Sequence, residues 1–116
     1  QALKSTIPVL EFNPDFVCKT ANDKALRFFG LSRLELRSKN ILDFLAPDYH
    51  EAWNKNKEKI LTNDFTNFLL PFIGESDVKN YEVSITVTRN LNGDIGKLIF
   101  LLVKEVQDRV PAFAIN

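Results

Sequence analysis

Residues 81–103 read YEVSITVTRNLNGDIGKLIFLLV. Their first half alternates. Tyr81, Val83, Ile85 and Val87 fall on one parity and Glu82, Ser84, Thr86 and Thr88 on the other, which is the period of a half-buried strand. Asn92-Gly93 then predicts a type I′ turn, because both central residues of that turn need positive φ. A second strand follows over residues 97–106. Its centre, residues 98–103, is apolar at every position, so both of its faces need cover. One face meets the domain core. The other requires a partner, a terminal segment or a second subunit, which makes Ile99, Leu101 and Val103 the candidate interface residues.

Upstream of this hairpin, residues 65–73 (FTNFLLPFI) predict a third strand, with Pro71 marking its end, an edge or a bulge because proline lacks a ladder donor. The stretch before it is helical. Pro47-Asp48 opens the longest predicted helix, residues 49–61, with Asp48 as its cap, Glu51 three positions on, and Trp53, Ile60 and Leu61 on its buried side. Asn40 predicts a cap for a short helix over residues 41–45. Ser32 and Glu35 have the spacing of a capping box. Ala21, Ala25, Phe28 and Phe29 fall at i, i+4, i+7 and i+8, predicting a helix over 21–29 that Gly30 can stop. Residues 9–13 and 16–20 predict a hairpin about Pro14-Asp15. Two strands, several short helices, one longer helix and three further strands argue an α+β fold with an antiparallel sheet.

The length of 116 residues argues one domain, large enough for a single core, and the ten phenylalanines are read as its filling. Fifteen basic and fifteen acidic residues leave no net charge. The densest basic run, Lys55, Lys57 and Lys59, is broken by Asn56 and Glu58, so no phosphate-binding stripe exists and no nucleic-acid partner is expected. The single cysteine, Cys18, permits no internal disulfide and suggests a reducing, cytoplasmic setting. No run approaches the ~18 apolar residues of a membrane span, and no signal peptide opens the chain. A chain that starts at Gln1 and has no methionine is expected to be a piece of something longer. There is no nucleophile elbow, no phosphate-cradling glycine loop and no metal-spaced His/Cys cluster, so neither catalysis nor a metal is expected. Asp43, Asp48, Glu51, Asp94 and Glu105 fall at caps and turns, where solvated roles account for them.

Several short motifs occur in a telling order: Asn22 at the start of the first helix, Phe29-Gly30-Leu31-Ser32 followed by Glu35-Leu36, Pro47-Asp48 before the longer helix, and Asn92-Gly93-Asp94 with Gly96 in the last hairpin. Over about residues 7–108 this resembles the PAS family. The resemblance divides the chain into a lead-in (1–6), the domain (7–108) and an exit linker or tail (109–116). It implies a five-stranded antiparallel sheet with the helices on one face. It also implies a non-catalytic sensor or dimerisation module of a cytosolic multidomain signalling protein, such as the sensor histidine kinase of a two-component system or a cyclic-dinucleotide enzyme. A homodimer through the outer sheet face and N-terminal segment, and a covalently attached output domain, go with it. Asp108 matches the family's signal exit. The threonine that usually follows is Val110 here, and Pro111 disfavours a helix running straight through Val110.

The resemblance also permits a test of cofactors. Flavin-binding members carry Asn-Cys-Arg where this chain has Asn40-Ile41-Leu42. Ile41 has no thiol to form the adduct and Cys18 lies on another strand, so no flavin adduct is expected. Haem-binding members ligate iron from the long helix. His50 sits about half a turn early, the ligand position falling near Ala52, so no haem is expected and His50 is read as an exposed surface residue. The alternative function is a receptor domain that binds an apolar small molecule between the long helix and the sheet. Its candidate lining is Phe44, Leu45, Trp53, Ile60, Phe68, Val83, Ile85 and Phe100, with Tyr49, Asn56 and Tyr81 as the available polar groups.

Overall fold

The computed structural model describes residues 6–107. Strand β1 (Val9–Phe12) and strand β2 (Cys18–Ala21) form a hairpin. Helices α1 (Asp23–Phe29), α2 (Arg33–Leu36) and α3 (Ile41–Phe44) follow, then a 3-10 turn (Pro47–Tyr49) and helices α4 (His50–Asn56) and α5 (Glu58–Leu61). Strands β3 (Phe65–Ile73), β4 (Val78–Arg89) and β5 (Ile95–Val106) complete one five-stranded sheet in the order β2-β1-β5-β4-β3. Every pairing is antiparallel. The chain's two ends of sheet thus meet at β1 and β5, and the helices cross from β2 to β3 over one face.

The local signals explain why the helices are so short. Gly30 adopts the left-handed conformation (φ 69°) and its N–H returns to Leu26 O, closing α1. Ser32 and Glu35 form the expected reciprocal box, which holds the Glu35 carboxyl below its usual pKa through the Ser32 N–H and hydroxyl. Asn40 caps α3, and Asp43 reaches back to the Asn40 N–H. Asn22 does most. Buried to 2% exposure, its Oδ1 accepts from Val9 N (3.0 Å) and Ala25 N (3.0 Å), and its Nδ2 donates to Ile7 O (2.8 Å). One amide therefore fixes the strand-to-helix corner and the start of β1 together.

Four local expectations are corrected. Asp48 caps nothing: Pro47 is pre-set for helical φ, so the chain turns already at Pro47 and Asp48 falls inside the first turn. The single helix over 49–61 is divided at Lys57, whose carbonyl accepts from Ile60 N in a tighter three-residue step. The turn at Asn92-Gly93 is not type I′. Only Gly93 has positive φ (86°), because Asn90 Oδ1 takes the N–H groups of Asn92 and Asp94 and moves the turn one residue earlier. Phe16, expected in a strand, lies in the β1–β2 turn with φ 63°.

Candidate functional site: the two faces of the sheet

The inner face is built from alternating residues of every strand. Leu98, Phe100 and Leu102 of β5 are each 0% exposed, and they stand beside Val83, Ile85 and Val87 of β4, Phe68, Leu70 and Phe72 of β3, and Leu10 and Phe12 of β1. The helices add Phe29, Phe44, Trp53 and Ile60 to the same cluster. All the residues expected to line a pocket, Phe44, Leu45, Trp53, Ile60, Phe68, Val83, Ile85 and Phe100, are brought together here and all are buried. Their rings interlock: Phe12 lies 4.7 Å from Phe100 and 6.0 Å from Phe44, and Trp53 lies 6.4 Å from Phe100. Edge and tilted contacts at these separations are favourable aromatic geometries.

Few polar groups reach this interior. Thr66, opposite Ile85 on β3, has a buried hydroxyl with no hydrogen-bond partner among the described residues. The Tyr49 phenol is pushed up to about 12 by burial. Asn56 turns its amide back onto Ala52 O (2.9 Å), which occupies that donor within its own helix. Tyr81 stands at the end of the inner face, its ring 5.4 Å from Phe28. His50 is half-buried rather than exposed, and its Nε2 bonds to Leu45 O at 2.9 Å. A ring nitrogen that engages a carbonyl does so as the donor, which leaves Nδ1 as the ring's acceptor when the imidazole is neutral.

Cys18 is fully buried in the core cluster, its Sγ 3.6 Å from Thr20 O. Burial pushes its thiol up to about 12, so it is protonated and unreactive at neutral pH. Ile41 is buried at the start of α3. Among the described residues no group of His, Cys, Asp or Glu could hold a metal ion, and no helix is long and apolar enough to cross a membrane.

The outer face is mixed. Ile99 and Leu101 are half-buried, Leu101 lying between Ser84 of β4 and Val9 of β1, and Ile99 between Thr86 and Glu11. Lys97 reaches Glu11 at 4.0 Å along the same side. Val103 departs from the simple alternation. The register shifts between Glu82 and Val83, pairing Val83 with Leu102 and Glu82 with Lys104, so Val103 is the extra residue of a bulge and is 45% exposed. Nothing in the alternating pattern marked that bulge. Beyond it, Asp77, Lys79, Asn80, Glu105 and Gln107 line a polar cleft of about 190 Å³ at the end of β4 and β5. The Lys79 ammonium there, hydrogen-bonded to Glu105 and close to Asp77, is held above its usual pKa. The expected signal exit, Asp108, lies outside the described residues.

No protein-family model matches the sequence, and no curated protein matches it either. Solved structures do match. One is the PAS domain of a protein from Colwellia psychrerythraea, 10% identical, covering 88% of this chain and 87% of that one, with a TM-score of 0.74. Another is a PAS domain from a two-component sensor histidine kinase, 16% identical over 90% of this chain and 89% of that one, with a TM-score of 0.70. A third is the Rhodobacter sphaeroides LOV protein, 12% identical over 92% of this chain and 64% of that one, with a TM-score of 0.75.

Proposed function

We propose that this chain, which has the PAS-domain fold, is a non-catalytic sensory and dimerisation module of a larger cytosolic signalling protein, of the sensor histidine kinase type. One observation carries the reading: β5 presents apolar side chains to both sides of the sheet, and only the inner set is enclosed by the helices. The similarity to a PAS domain from a two-component sensor histidine kinase supports the choice of parent. In this reading Ile99, Leu101 and Val103 meet their counterparts on a second copy. A change in the core or at that interface shifts the balance between two packings, and the end of β5 passes the shift to the attached domain. Single cysteines test it: Ile99→Cys, Leu101→Cys and Val103→Cys, each in a Cys18→Ala background. Under oxidation at least one gives a covalent dimer; a chain that stays monomeric in all three contradicts the reading.

A second reading has its own support. A buried hydroxyl without a partner is uncommon in a native interior, and Thr66, whose Oγ1 is such a group among the described residues, pairs across the sheet with Ile85, one of the residues expected to line a pocket. A receptor domain for a small apolar molecule with one polar group would satisfy it. Native mass spectrometry of the purified chain would then show a bound species that Thr66→Val loses. A bare mass in the parent removes this reading.

A further inference from the structure

Two turns of this molecule share one hydrogen-bond pattern and differ at the residue that bears the strain. In the first, Asn13 N donates to Val17 O (3.0 Å), Phe16 N donates to Asn13 O (2.9 Å), and Asn13 Oδ1 accepts from Asp15 N and Val17 N (2.9 and 3.0 Å). In the second, Asn90 N donates to Asp94 O (2.8 Å), Gly93 N donates to Asn90 O (3.0 Å), and Asn90 Oδ1 accepts from Asn92 N and Asp94 N (2.8 and 3.0 Å). The fourth residue of each is left-handed. In the second turn it is Gly93, in open space, where no side chain resists that conformation. In the first it is Phe16, the only residue other than glycine with positive φ among those described. A bulky side chain in that region is a true outlier.

Strain of this kind persists only where the surroundings over-determine it. Around Phe16 they do. The residue is 5% exposed, its ring meets the Trp53 indole edge-on at 5.3 Å, and its carbonyl accepts from Ile41 N at 2.9 Å. Trp53 itself sits on α4 against Phe100 of β5. Val17 bridges to Asn40, and Cys18 N donates to Lys39 O, so the same turn also holds the start of α3.

We propose that Phe16 and Trp53 form a conformational latch, in which the indole on α4 keeps the 13–17 turn in its strained closed form and displacement of the indole lets that turn open. The latch gives the core a route to the surface at the β1–β2 turn, which leaves the sheet at the same end as the β4–β5 turn. It stands whether the chain dimerises or binds a small molecule, because either needs only to move α4.

The second turn is the internal control. Hydrogen exchange is followed on the whole chain, parent against Trp53→Leu. The Phe16 and Val17 amides should exchange at least about tenfold faster, a change of about 1.4 kcal/mol in opening, while the Gly93 and Asp94 amides keep their rates. Adding Phe16→Gly to Trp53→Leu should slow the Val17 amide again, since the strain is gone. If Trp53→Leu does not fold, Trp53→Phe is expected to give the same order with smaller factors. Unchanged rates at Phe16 and Val17, equal acceleration in both turns, or further acceleration on adding Phe16→Gly would each overturn the latch.

Discussion

Along β5, Leu98, Phe100 and Leu102 face one way and Ile99 and Leu101 the other, with the same chemistry on both sides. The first set is wholly enclosed, while the second is only half-buried among Ser84, Thr86 and Glu11. The difference comes from the neighbours. β4 offers Val83, Ile85 and Val87 to the inner side and short polar groups to the outer, so the helices can close over one face only. Inner-face apolar residues therefore carry stability; on the outer face Val9 and Leu69 are buried as well, and it is the half-buried Ile99 and Leu101 that the proposed reading assigns to association.

The largest effect should come from emptying the inner face. Phe100→Ala removes a ring in contact with both Phe12 and Trp53 and should cost about 3–5 kcal/mol in urea unfolding. An inner-face effect of opposite origin is expected in alkali. The folded Cys18 keeps its proton up to about 12 while the unfolded thiol loses it near the ordinary thiol value of 9.0. Stability from this group is thus complete below about 9 and declines as pH rises toward 12. Urea midpoints measured across that window should fall, and Cys18→Ala should flatten part of the fall.

Asn22→Ala comes next. It strands the Val9 N–H in a buried corner and should cost about 2 kcal/mol, with the loss of protection greatest at Val9 and Ala25. On the outer face, Leu101→Glu should change monomer stability by only about 1 kcal/mol, because the new carboxylate can reach water. Val103→Thr, at the exposed bulge, should stay within about 0.5 kcal/mol. An outer-face substitution that costs as much as Phe100→Ala would break the distinction between the faces.

Much of this was legible in the chain. Alternation over residues 81–88 placed the faces, and the order of caps and turns placed the helices, because Gly30, Ser32 and Asn40, and Asn22 in its bond to Ala25 N, act through backbone groups close by in sequence. The misreadings arose where a neighbour competed. Asn92-Gly93 looked like a complete turn signal until Asn90 claimed its amides. Asp48 looked like a cap, but Pro47 had already begun the turn. The burial of His50 depends on a carbonyl five residues away, and the left-handed Phe16 depends on Trp53, which no local pattern announces. The matching Asn at the first position of both turns, Asn13 and Asn90, was the available signal for their shared geometry.

The claim that the outer face is the one that associates is tested most directly by sedimentation equilibrium of the parent and Leu101→Glu at matched concentrations. The account predicts a dimer mass for the parent and a monomer mass for the folded variant. An identical mass for both, whether monomer or dimer, would contradict it.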